Sequence, residues 1–145
     1  MAEDSHRFVT LDRVEEGIYV ARNARGLELR FGSKDPEGFT PVELLLAAIA
    51  GCSAVDVDVV TGRRSPADQF RARVDAEYVR DEQGNRLTDV TLTFQVRFPE
   101  GEAGDAAREI LPRAIRTSHD RTCTVSRSLE LGTPVTTRIE DAARG

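Results

Sequence analysis

The sequence predicts an α+β fold in which an antiparallel sheet packs over a long, buried central helix. Two observations carry that expectation. Phe70, Ala72, Val74, Ala76 and Tyr78 interleave with Arg71, Arg73, Asp75 and Glu77, and Val90, Leu92, Phe94, Val96 and Phe98 interleave with Thr91, Thr93, Gln95 and Arg97. This is the period of strands with one wet face, and the Asp81–Asn85 segment between them reads as a hairpin turn. The second observation is the apolar stretch after Thr40-Pro41-Val42-Glu43. It has threonine at the cap, proline at the first helical position and glutamate placed to close a capping box.

The stretch is apolar on every face, which predicts a helix covered on both sides, and Arg63-Arg64-Ser65-Pro66 ends it. Shorter strands fit Ile18–Arg22 and Leu27–Phe31, with Asn23-Ala24-Arg25-Gly26 as their turn, and a last strand fits Val135–Ile139. A second helix is expected from about Asp105 to His119 with Ala106, Ile110, Ala114 and Ile115 on one stripe, kinked or restarted at Pro112. A third, from Arg121 to Leu129, carries Cys123 and closes at Gly132. The elements run strands, long helix, hairpin, helices, strand, an α+β order without repeats or linkers.

A chain of 145 residues fits one domain, residues 1–145, and such a domain buries roughly two-thirds of its unfolded surface. The net charge of −5 and pI of 5.1 argue against nucleic acid or an anionic membrane as partner. Lys34 is the only lysine. The first thirteen residues hold no apolar signal region, and the apolar run Leu44 to Val55 is about 12 residues, short of the roughly 20 of a membrane span. The expected compartment is the cytoplasm, where a permanent disulfide does not persist.

The two cysteines, Cys52 and Cys123, lie about 70 residues apart. In a reducing compartment such a pair points to redox or nucleophilic chemistry, against the alternative that each is a small buried hydrophobe. Ala48, Gly51 and Ser53 leave room beside Cys52 for a backbone or ligand. Asp56 sits one turn on from Cys52, where a carboxylate disfavours a thiolate, so a reactive Cys52 calls for an arginine. Arg13, Arg22, Arg25 and Arg30 are the candidates. Asp56 and Asp58 read equally as exposed or capping groups. In one continuous helix His119 would stand beside Cys123 as its base; a boundary at Asp120-Arg121 would leave it solvated. Two cysteines and two histidines lack the short spacing of a metal site, and no nucleotide-binding or serine-nucleophile pattern occurs.

The string TPVELLLAAIAGCSAVDV at residues 40–57 resembles the first signature of the OsmC/Ohr family, and AIRTSHDRTCTV at residues 114–125 resembles the second. The resemblance runs from about Ile18 to Ile139, and the first string is most similar to the YhfA-type branch. It implies an OsmC-like fold in an intertwined homodimer with both cysteines near the subunit interface. The implied activity is that of a thiol-dependent peroxidase of organic hydroperoxides. Cys52 is then the peroxidatic residue, with a depressed pKa, and becomes a sulfenic acid. Cys123 resolves it as an intramolecular disulfide, which an external dithiol such as a lipoyl group reduces, without metal, haem or bound cofactor. The family's catalytic glutamate directly follows the proline, where this chain has Val42. Glu43 comes one position later, a rotation of about 100° on a helix, so it is either catalytic or only the cap. The family's catalytic arginine corresponds to Arg13 or, next, Arg22. The alternative activity is that of a non-peroxidatic dimeric small-molecule or acyl-binding module, or a thiol redox sensor.

Overall fold

A computed structural model describes residues 5–140. The chain forms two compact units, residues 1–48 and residues 49–145.

In the first unit, β1 (Val9–Glu15), β2 (Ile18–Asn23) and β3 (Glu28–Phe31) make an antiparallel sheet in that order. The expected β2–β3 turn forms because the Asn23 side-chain oxygen accepts the amides of Arg25 and Leu27 at 3.0 and 3.1 Å, with Gly26 at φ 84°. Tyr19 opposes Phe31, their rings 6.3 Å apart. Strand β1 went unread because charged residues at Asp12, Arg13 and Glu15 mask the alternation of Val9 and Leu11, and all seven of its residues are exposed. Gly32 is required after β3: a Cβ there would stand 2.0 Å from the Gly17 carbonyl oxygen.

Helix α1 (Pro41–Gly62) starts on the capping box the sequence predicts. The Thr40 amide donates to Glu43 Oε1 at 2.9 Å, and the Glu43 amide to Thr40 Oγ1 at 3.2 Å. Its buried residues, Ile49, Ser53, Val57 and Thr61, form one i, i+4 stripe in the second unit. Val55 and Val59 stay 64% and 54% exposed. Coverage on both sides is therefore met on one side only within a single chain. At 22 residues α1 is also long and apolar enough, by length and composition alone, to cross a membrane. A core helix of a soluble domain meets the same criterion.

The second unit continues with the hairpin β4 (Gln69–Asp81) and β5 (Gly84–Arg97). Phe70 and Phe94 meet edge-to-face across it at 6.0 Å. A bulge sets Asp75 against Thr91 but Glu77 against Thr88, with Asp89 at φ 53°. The extra residue on β5 breaks its alternation at Val90, expected inward and 46% exposed; Tyr78, opposite Leu87 near the hairpin end, is 57% exposed. Helix α2 (Glu102–Thr117) contains Pro112 and buries Ala107 and Ala114. It runs into a π-helical turn (Ser118–Thr122), and α3 (Thr124–Glu130) follows Cys123. The strand expected at Val135–Ile139 is not formed. Those two residues are 89% and 95% exposed, and no described strand pairs with the segment.

Gly104 is buried at the start of α2, where a Cβ would lie 1.7 Å from the Pro99 carbonyl oxygen. Gly104→Ala should therefore cost at least the 1–3 kcal/mol or so of an overpacked core. Thr40→Ala, which removes half of the capping box, should cost about 1 kcal/mol. Urea denaturation checks both, and equal stability of Gly104→Ala and wild type contradicts the close approach.

Candidate dithiol site

Cys52 and Cys123 are both free thiols in the second unit, near enough that each shifts the acidity of the other. Their proximity depends on how the chain leaves α2. The π turn places the Cys123 amide on the Ser118 carbonyl at 2.8 Å, a five-residue step. This ends the helical run one residue beyond α-helical closure. Cys123 then takes an extended conformation (φ −73°, ψ 98°) as the cap of α3, and its side chain is fully buried. The backbone amides of Val125 and Thr124 favour a thiolate at Cys52, and that of Ser126 favours one at Cys123. The Cys123 thiol donates to Ser126 Oγ at 3.3 Å. Once the thiol ionises, the hydroxyl rotor can turn and donate back.

The two sulfurs differ in environment. Burial pushes the half-buried Cys52 thiol above the ordinary range, and its amide contacts do not offset this. This corrects the depressed Cys52 pKa expected from the sequence. At Cys123 burial also acts upward, but the Ser126 hydroxyl and amide and the Cys52 thiol outweigh it and hold the group below the ordinary thiol range. The Asp56 carboxylate opposes that lowering. Asp56 thus acts against a thiolate as expected, but on Cys123.

Asp56 is not a solvated charge. Its Oδ2 accepts from Ser118 Oγ at 2.9 Å and from Thr122 Oγ1 at 2.8 Å. Ser118 Oγ also lies 3.1 Å from Ser53 Oγ, and both serines are buried. Ser53, Ser118, Thr122 and Ser126 escaped sequence reasoning. Ser53 and Ser118 are small polar residues inside helical patterns, and only the one-turn spacing of Cys123 and Ser126 offered a signal.

A largely apolar cavity of about 440 Å³ is lined by Ser126, the hydrogen-bond partner of Cys123, and by Ser53, next to Cys52 in the chain, though by neither cysteine. Leu92, Phe94, Ile115 and Leu129 make its wall, and His119 and Glu130 stand at its polar end. Among the described residues, no group of three His, Cys, Asp or Glu side chains could hold a metal ion.

Glu43, Arg22, Arg13 and Arg30 belong to the first unit. Glu43 is engaged in the capping box. Arg22 pairs with Glu28 and lies 3.6 Å from Asp12. Arg13 is exposed on β1 opposite Tyr19, and Arg30 pairs with Asp35 at 3.0 Å. His119 does not serve Cys123. The π turn breaks the continuous helix that would have aligned them, and its ring nitrogens face Asp120 at 3.0 Å and Glu130 at 2.7 Å. Asp120 first, then Glu130, hold the imidazolium above the ordinary histidine pKa. A pKa raised on folding contributes stability in full below about 6.5, and that contribution is lost as pH rises through the raised value. An NMR titration should place the His119 midpoint above the ordinary value and lower it in Asp120→Asn; an ordinary midpoint in the wild type contradicts the clamp.

Comparison with known proteins bears on all of this. The profile of the family described as OsmC-like protein matches residues 32–138. An uncharacterized protein of Mycobacterium tuberculosis is 31% identical over 133 residues, covering 90% of this chain and 94% of the relative. Among solved structures, a hypothetical protein from Aquifex aeolicus superposes with a TM-score of 0.71 at 20% identity, over 89% of this chain and 90% of that one. An OsmC-like protein of unknown function from Vibrio cholerae gives 0.70 at 14% identity, over 87% and 94%. An organic hydroperoxide resistance protein OsmC from Legionella pneumophila gives 0.57 at 14% identity, over 88% and 91%. With the α+β order, both cysteine segments and the profile in agreement, this chain belongs to the OsmC-like family.

Proposed function

We propose that the protein is a two-cysteine peroxidase that reduces organic hydroperoxides. The observation that carries this reading is the proximity of two reduced thiols of unequal acidity beside an apolar cavity. The name of the Legionella relative, an organic hydroperoxide resistance protein, supports it.

Cys123 is the more acidic thiol of the pair, while Cys52, the less buried of the two, meets the substrate. Once ionised, Cys123 is the base that takes the Cys52 proton. The Cys52 thiolate then attacks the terminal peroxide oxygen, and the O–O bond breaks. Cys52 becomes a sulfenic acid, and the departing alkoxide takes the proton back from Cys123 as the alcohol leaves. The freed Cys123 thiolate attacks the Cys52 sulfur and displaces hydroxide, which solvent protonates to water. Peroxide has gained two electrons, and the two thiols have lost them to a disulfide. An external dithiol such as a lipoyl group restores the pair by exchange, and no metal or bound cofactor takes part. The cavity suits the organic part of the substrate, since apolar surface gains by leaving water there and hydrogen peroxide has none to offer. Such a cycle belongs in the reducing cytoplasm. Arg13 or Arg22, and Glu43 where it is more than a cap, are the groups to test for orientation of the peroxide.

A homodimer is the working unit in this reading. The exposed apolar face of α1 at Val55 and Val59 supports it, because an uncovered stripe of this kind marks an association surface. Light scattering should return twice the 16.0 kDa mass of the chain, and a monomer mass contradicts the dimer.

Consumption of cumene hydroperoxide with dihydrolipoamide should exceed that of hydrogen peroxide and vanish in Cys52→Ser. Cys123→Ser should consume about one equivalent and stop as a trappable sulfenic acid. Absence of turnover with both thiols still titratable would reject the peroxidase in favour of a ligand-binding module.

A further inference from the structure

Asp56 ties α1 to the segment that delivers Cys123, and both of these hydrogen bonds end on a single atom. Ser118 Oγ and Thr122 Oγ1, the first and last residues of the π turn, both donate to Oδ2, at 2.9 and 2.8 Å. Ser118 is also the residue whose carbonyl receives the Cys123 amide, at 2.8 Å. One oxygen on α1, one turn from Cys52, therefore clasps the two ends of the turn from which Cys123 emerges. The buried Ser53–Ser118 contact at 3.1 Å braces the same point from the neighbouring turn of α1. We propose that Asp56 is a positioning residue that holds Cys123 at bonding distance from Cys52 and sets how readily the two close into a disulfide. The inference deepens the two-cysteine reading, but it concerns disulfide closure and not the peroxide.

The same side chain acts twice. Its oxygen fixes the geometry, and its charge opposes a thiolate on Cys123, whose other neighbours are the Cys52 thiol on α1 and the Ser126 hydroxyl and amide on α3. These two effects separate by substitution. Asparagine keeps one oxygen able to accept from both donors and removes the charge, whereas alanine removes both. A merely structural aspartate would not produce opposite behaviour in the two variants.

The test is closure of the Cys52–Cys123 disulfide by diamide, whose N=N bond accepts the two electrons and two protons, followed by thiol loss across a pH series. No peroxide is present, so the result stands apart from the peroxidase assay. Asp56→Ala should close about tenfold or more slowly at a given pH, as a small displacement of reacting atoms does. Asp56→Asn should close near the wild-type rate, with its pH profile moved to lower pH because a repelling charge is gone. Thr122→Ala, at an exposed position, should be severalfold slower and covers the case in which Asp56→Ala does not fold. Wild-type closure in Asp56→Ala or Thr122→Ala, or an Asp56→Asn variant that is folded and as slow as Asp56→Ala, overturns the proposal.

Discussion

The proximity of Cys52 and Cys123 rests on the way the chain abandons α-helical closure after Thr117. A regular helix continued through residue 123 would hold Cys123 in a helical conformation, on the face its position along α2 dictates. The π turn instead spends one extra residue, hands the Cys123 amide to the Ser118 carbonyl, and lets Cys123 turn extended before α3 begins. That change of direction buries the thiol and brings the first amides of α3 near the two sulfurs. A widened turn is less favourable than a regular one and persists where side chains fix it. Here Asp56 and Ser53 on α1 do so.

The electrostatics of the pair follow from what surrounds it. The cationic candidates Arg13 and Arg22 belong to the first unit, and Arg22 is neutralised there by Asp12 and Glu28. Within the second unit burial raises both thiols, hydrogen bonds to neutral donors lower them, and the Asp56 carboxylate opposes the lowering at Cys123. Ser126 and its amide serve Cys123, while burial dominates at Cys52. Such a pair titrates as one system, its protons leaving in steps that belong to both sulfurs. The two sulfurs are unequal: the fully buried Cys123 is the more acidic and Cys52 the more accessible.

Much of the fold is legible in the sequence because its signals are local. The capping box at Thr40–Glu43 and the two-residue period of β4 and β5 each depend on residues within one turn or one strand pair. What failed depended on distant partners. Strand β1 alternates weakly and is recognised only through its pairing with β2. The Val135–Ile139 segment has strand composition but no strand to pair with among the described residues. The bulge at Asp89 broke the alternation of β5 at Val90, which the period placed inward. At the site, both cysteines and the opposing charge of Asp56 could be read from spacing. The serine and threonine hydroxyls could not, since their partners lie more than sixty positions away. The break between the second and third helices was legible at Asp120-Arg121, which lies inside the π turn, whereas the widened form of that turn is set by tertiary hydrogen bonds that no local pattern announces.

The most direct measurement is an intact-mass and non-reducing peptide map of the wild-type protein after one equivalent of an organic hydroperoxide. The account predicts the loss of two hydrogens per chain and a single cross-linked peptide pair joining Cys52 to Cys123 within one chain. Two free thiols, an over-oxidised Cys52 without cross-link, or a disulfide between chains would contradict it.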